Sequence, residues 1–171
     1  MDSKRSLPVK LILSAAVAAI AAAAAWFAFQ REDRAPDATF VSIKGEKLTT
    51  AALRGKVVLV NFWATSCTTC VHEMPMLVET YKKYAPRGYE TIAVAMSYDP
   101  PNYVLNFAQT RALPFKVALD PVGELAQRFG NVKLTPTTFI LDKHGNIAKR
   151  YVGEPSESEL HALIEQLLAA G

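Results

Sequence analysis

The segment Val57-Val58-Leu59-Val60-Asn61-Phe62-Trp63-Ala64 is apolar at all but one position and leads directly into Cys67-Thr68-Thr69-Cys70. A run this short with no polar alternation predicts a strand buried on both faces. The stretch after it predicts a helix to about Tyr84, with Leu77, Tyr81 and Tyr84 on one face and Pro75 as a kink. Cys67 and Cys70 are the only cysteines in the chain. At a strand-to-helix junction this spacing lets one tight turn close a disulfide. The partial positive charge of the helix N-terminus favours a thiolate on the first sulfur. Such a pair is built to exchange electrons as dithiol and disulfide.

The rest of the chain decides what carries that pair. Leu11–Phe29 is 19 residues without a charge, 10 of them alanine, preceded by Lys4, Arg5 and Lys10. Its length suits a membrane span better than a secretory leader, and Trp26, Phe27 and Phe29 resemble an interfacial aromatic belt. Ala23-Ala24-Ala25 keeps cleavage as a signal peptide open. The expected organisation is therefore a basic cytoplasmic tail (1–10), a transmembrane anchor or signal peptide (11–29), a linker (30–36) and one domain (37–171). A basic-then-apolar start sends the downstream chain across the membrane, which places the domain on the periplasmic or extracytoplasmic side. Residues 31–171 carry 16 Lys+Arg against 15 Asp+Glu, so nothing argues for a nucleic-acid partner.

Within the domain, Thr39–Ser42 and Glu46–Leu48 flank Lys44-Gly45 as an N-terminal hairpin. Strands are expected at 91–96, 117–119, 137–141 and 147–152, and helices at about 101–111, 122–129 and from Ser156 to the C-terminus. Ser156-Glu157-Ser158-Glu159 has the pattern of a capping box, followed by the stripe Leu160, Leu163, Ile164, Leu167 and Leu168. Strands alternating with helices imply an α/β fold, a mixed sheet covered on both faces.

The strand with its Cys67–Cys70 pair, Glu73-Met74-Pro75, Thr135-Pro136 and the closing hairpin and helix together resemble the TlpA/ResA-like membrane-anchored thioredoxin-fold thiol-disulfide oxidoreductases. The likeness covers about residues 37–168. It implies a thioredoxin-like fold with an N-terminal hairpin extension and a β-α insertion. It implies catalysis by Cys67 as attacking thiol and Cys70 as resolving thiol. It also implies a cis Pro136 lying against the disulfide, with Thr135 as the substrate-facing residue. Trp63, at the end of the strand, joins the site residues, more as packing beneath the site than as a substrate contact. Family members often hold a buried aspartate where this chain has Asn61. Glu73, three residues after Cys70, is the replacement proton carrier, with a solvated helix glutamate as the plainer reading. Ser66 replaces a usual tryptophan and Thr68-Thr69 a pair that often contains proline; both positions tune the potential. Gly153 reads either as room for a partner's backbone or as a turn glycine before Pro155.

The resemblance implies a reductase of disulfides in exported or membrane-associated proteins, such as apocytochrome c or copper-site proteins. A membrane protein delivering thiol electrons would re-reduce the pair. No cofactor or metal is required, and the domain needs no second copy to complete its core. Other readings are a disulfide oxidase, a peroxidase or a copper metallochaperone. The peroxidase pattern needs a proline four residues before Thr65, where Asn61 stands. A copper site would need His72, His144 or His161 beside the cysteines. A helix would turn His72 away from both sulfurs.

Overall fold

The computed structural model describes residues 34–170, together with Ala16, Val17 and residues 19–22, which are helical. The expected tail and most of the expected anchor and linker lie outside the described residues. Among the described residues no helix is long and apolar enough to cross a membrane. Ala35–Gly171 forms a compact unit of its own. Its strands are β1 (Thr39–Ser42), β2 (Lys47–Thr49), β3 (Val57–Trp63), β4 (Tyr89–Ala95), β5 (Lys116–Leu119), β6 (Thr137–Leu141) and β7 (Ile147–Val152). Its helices are α1 (Thr68–Tyr84), α2 (Pro101–Thr110), α3 (Glu124–Arg128) and α4 (Glu157–Ala169).

The strands form one sheet in the order β2-β1-β5-β4-β3-β6-β7. Strand β3 is buried at every position, pairing parallel with β4 and antiparallel with β6. The absence of alternation along 57–63 is explained by layers on both sides. Val58, Val60 and Phe62 face one layer with Phe40, Phe129 and Phe139, against α3 and the N-terminal hairpin. Val57, Leu59 and Trp63 face the other, made by the buried stripes of α1, α2 and α4. The expected N-terminal hairpin is β1–β2, turning at Gly45 with φ +81° and joining the main sheet through β5. Strand β5 and helix α3 lie between α2 and β6 in the chain.

Most elements fall within a residue or two of expectation. Strand β4 begins at Tyr89, two residues early, because Tyr89 and Glu90 pair with Val57 and Val58. The Glu90 carboxylate is largely buried and meets Lys56 Nζ at 3.6 Å. Of the stripe on the last helix, Leu160 and Ile164 are fully buried, while Leu163, Leu167 and Leu168 are only partly so. The ends of α4 are capped as physical chemistry requires. Ser156 Oγ accepts from the Glu159 N–H at 3.2 Å. Lys143 Nζ donates to the terminal carbonyls of Leu168 and Ala170 at 2.8 and 2.7 Å, a cation at the negative end of the helix.

Helix α1 carries the cysteines, so its seating decides where they sit. Leu77 is its central anchor, fully buried against the sheet. Leu77→Ala is expected to lower the unfolding free energy by about 2–5 kcal/mol. The half-exposed Val41→Ala change should stay within about 0.5 kcal/mol. Urea unfolding of the two variants checks this.

Candidate active site

Parallel neighbours release their following loops at the same end of a sheet. The β3/β4 register ends at Trp63 opposite Ala95, so the loops 64–67 and 96–100 lie side by side. They are tied together. Thr65 donates its N–H to Asp99 Oδ2 and its hydroxyl to Asp99 Oδ1, each at 2.6 Å. The Met96 N–H donates to the Trp63 carbonyl at 3.0 Å. Asp99 is buried, and both its oxygens are spent on the loop that enters the cysteines.

Cys67 is the N-cap of α1, and the Cys70 N–H donates to its Sγ at 3.2 Å. The two sulfurs are joined as a disulfide, with the Cα atoms 5.2 Å apart. Cys70 is fully buried and Cys67 half-buried, so a partner reaches the pair through Cys67. A 17-residue helix aims its positive end at that sulfur.

Strand β6 reaches the same end from the other direction. Phe62 pairs with Thr137, which brings Thr135-Pro136 level with the end of β3. The Thr135–Pro136 peptide is cis, as the resemblance implied. The Pro136 carbonyl accepts from the Gly153 N–H at 2.8 Å. Pro136 is buried and Thr135 half-buried. Thr135 Oγ1 is hydrogen-bonded to Tyr98 Oη at 3.2 Å, and among the described residues its backbone N–H and carbonyl meet no backbone partner. At Gly153 a side chain would meet nothing within 4 Å, but φ is +93°, so the turn itself is what requires glycine there.

Glu73 is not a solvated helix carboxylate. It is fully buried beneath α1, facing β3. Asn61 Nδ2 donates to Glu73 Oε1 at 2.8 Å and to Thr138 Oγ1 at 3.0 Å. Glu73 Oε2 and Asn61 Oδ1 have no partner among the described residues. Burial pushes the Glu73 carboxyl up to about 7; the Asn61 hydrogen bond opposes this, and the charge of Glu154 adds to it. An ordinary glutamate is charged throughout the neutral range. This one changes protonation within it.

The remaining expected site residues divide. Trp63 takes no substrate-facing role. Its ring is fully buried and packs on Phe107 with centroids 5.1 Å apart, because odd-numbered β3 residues point into the α1, α2 and α4 layer. His72 is exposed and pairs with Glu154 at 3.0 Å. His144 sits in the β6–β7 turn, and His161 on α4 is hydrogen-bonded to Thr80. Among the described residues no three His, Cys, Asp or Glu side chains are gathered as metal ligands. Sequence reading missed Tyr98, Asp99, Thr138 and Glu154. The available signal was positional: sites of open α/β sheets gather at the carboxyl ends of parallel strands, and Tyr98-Asp99 closely follows β4.

Residues 30–164 match the Redoxin family. The thiol-disulfide oxidoreductase ResA of Bacillus thuringiensis subsp. konkukian is 34% identical over 133 residues, 78% of this chain and 76% of that protein. The thioredoxin-like protein YneN of Bacillus subtilis is 34% identical over 137 residues, 80% of this chain and 79% of that protein. Among solved structures, a thiol:disulfide interchange protein of the thioredoxin family from Chlorobium tepidum TLS superposes with a TM-score of 0.73 at 29% identity. It covers 80% of this chain and 97% of that one.

Burial of Glu73 has a pH signature. Its folded value, about 7, lies above the ordinary 4.5. Between these values the folded state holds more protons than the unfolded, so stability falls as pH rises through that window. The full effect is on the order of 3 kcal/mol. Glu73→Gln is expected to flatten this loss, so that the variant gains on the parent between pH 5 and pH 8. Urea unfolding of both oxidised proteins at the two pH values measures it, and parallel slopes would contradict the burial.

Proposed function

Since this chain belongs to the Redoxin family and is a TlpA/ResA-like thiol-disulfide oxidoreductase of thioredoxin-like fold, we propose that it works as a reductase of disulfides in partner proteins. The observation that carries the assignment of roles is the N-cap geometry. The sulfur of Cys67 is the one that solvent reaches, and it accepts a backbone N–H and faces the helix N-terminus. These features stabilise a thiolate on Cys67, whereas Cys70 is enclosed.

In the reducing direction the Cys67 thiolate attacks one sulfur of a partner disulfide. The partner's S–S bond breaks, a mixed disulfide forms and the partner's other sulfur leaves as a thiolate, which takes up a proton. Cys70 then loses its proton and attacks Cys67 Sγ. The mixed disulfide breaks, the partner's second sulfur is released, and Cys67–Cys70 closes. Two electrons pass to the partner, and its two sulfurs, each released as a thiolate, take up their protons from solvent. Glu73, buried on the same helix face as Cys70, accepts the proton that Cys70 loses and returns it when the pair is re-reduced. Its elevated proton affinity and its hydrogen bond to Asn61 support that role. Thr135 offers its unpaired backbone to an extended partner segment, and Pro136 packs behind it.

The direction rests on the family likeness, as do the partners. They are cysteines of exported or membrane-associated proteins, such as those of apocytochrome c or copper-site maturation. Re-reduction comes from a membrane protein that passes thiol electrons outward. Residues 11–29 anchor the chain to the cytoplasmic membrane by a single pass, with 37–171 as a monomeric domain on the periplasmic or extracytoplasmic side. Tethering would raise the concentration of the site near membrane partners.

Cys67→Ser is expected to abolish reduction of insulin disulfides, and Cys70→Ala to accumulate partners as mixed disulfides visible on non-reducing gels. Retained activity in Cys67→Ser would reverse the assignment of roles. The midpoint potential should lie well below the about −120 mV of the oxidase DsbA; a value near it would make the protein an oxidant. For the anchor, N-terminal sequencing from membranes should find residues 11–29 intact. A mature chain beginning near Trp26 would mean a cleaved leader.

A further inference from the structure

The dipeptide Tyr98-Asp99 touches both halves of the exchange site. Asp99 holds Thr65, two residues before Cys67, and Tyr98 Oη holds Thr135 Oγ1, one residue before Pro136. Tyr98 is committed only at its tip: the side chain is 57% exposed. Leu134, next to Thr135, is 65% exposed. Val152, which pairs with Thr137 in the sheet, is 57% exposed. Three large apolar or aromatic side chains thus stand uncovered around residues 134–137. Single exposed apolar residues need no explanation, but three tied by hydrogen bond, chain neighbourhood and strand pairing to residues 135 and 137, next to the cis proline, mark a candidate contact surface. A tyrosine held by its hydroxyl presents its ring at little entropic cost, which suits a recognition anchor.

We propose that Tyr98, with Leu134 beside it, is the specificity-determining residue of the exchange site, and that it selects partner cysteines with an aromatic or large aliphatic residue two positions away. The inference rests on the reading of Thr135 as the edge to which an extended partner pairs. In an extended segment, side chains alternate between faces. When the partner cysteine points at Cys67, the residues two positions away point at the same surface and meet Tyr98 and Leu134. Residues one position away point to solvent and are not selected.

The test uses the reduced full-length protein in detergent and two disulfide-linked peptides, with either Phe or Ser at both positions two residues from the cysteine. Each peptide is also made with an ester in place of one amide beside the cysteine, which removes a backbone donor. The KM for the Phe peptide is expected to be about tenfold lower than for the Ser peptide, the effect of one aromatic anchor. Tyr98→Ala should bring the two KM values together, with kcat and midpoint potential unchanged. Tyr98→Phe should keep the preference, because the ring remains. Equal KM values in the parent protein would overturn the proposal. So would a Tyr98→Ala variant that keeps the preference, or that moves the potential and both peptides alike, as a merely structural residue would. The ester peptides separate this failure from that of the edge. A raised KM for the esters with no Phe preference removes Tyr98 and leaves the edge reading intact. Esters that bind as well as amides remove the edge and the proposal with it.

Discussion

Strand β3 is enclosed on both faces and hydrogen-bonded along both edges, and the rest of the molecule is arranged by that fact. Its parallel bond to β4 places the Asp99 loop beside the loop entering Cys67. Its antiparallel bond to β6 delivers Thr135-Pro136 to the same end. Its alternation sends Val58, Val60 and Phe62 into one core layer and Val57, Leu59 and Trp63 into the other. A one-residue slip in this register would exchange those layers and carry Asn61 away from α1. The redox pair, its backbone neighbour and its buried acid thus depend on a single alignment.

Asn61 shows how closely structure and chemistry are joined here. It lies on the same face of β3 as Leu59 and Trp63, in a largely apolar layer where Glu73 and Thr138 are its polar partners. A polar group buried there is costly unless paired, and it is paired to a carboxyl rather than to backbone. The hydrogen bond favours the charged form of Glu73 while burial disfavours it, and burial wins. The outcome is an acid whose proton affinity falls in the range where thiols exchange. The same burial makes Glu73 a cost to the folded state at high pH, so stability there is given up at a functional position.

Much of this was legible in the residues. The strand, the Cys67–Cys70 turn, α1 and the closing hairpin with α4 all follow from local patterns, because each depends on neighbours within a few positions. Glu73 was legible as a candidate, since i to i+3 spacing places it on the Cys70 face. Its partnership with Asn61 was not. The two read as alternatives, one acid lost and another supplied, whereas they form one hydrogen-bonded unit across twelve residues. Trp63 was ambiguous because an aromatic at a strand end can turn either way, and only the packing of Phe107 on it settles the matter. Tyr98 and Asp99 carry no local signature, since a Tyr-Asp dipeptide before Pro100-Pro101 reads as an ordinary loop.

From the order of residues alone come a buried strand, a redox pair at a helix start and a capped closing helix. Those are short-range facts, governed by periodicity, capping and the restricted geometry of two cysteines three apart. Only the tertiary structure decided that Glu73 is sealed from water, that Asp99 clamps the loop of Cys67, and that Tyr98 stands open beside Thr135. Each of these depends on segments distant in the chain, brought together by sheet register. Burial and hydrogen bonding set proton affinity and surface chemistry, and both are properties of that assembled neighbourhood rather than of the residue types.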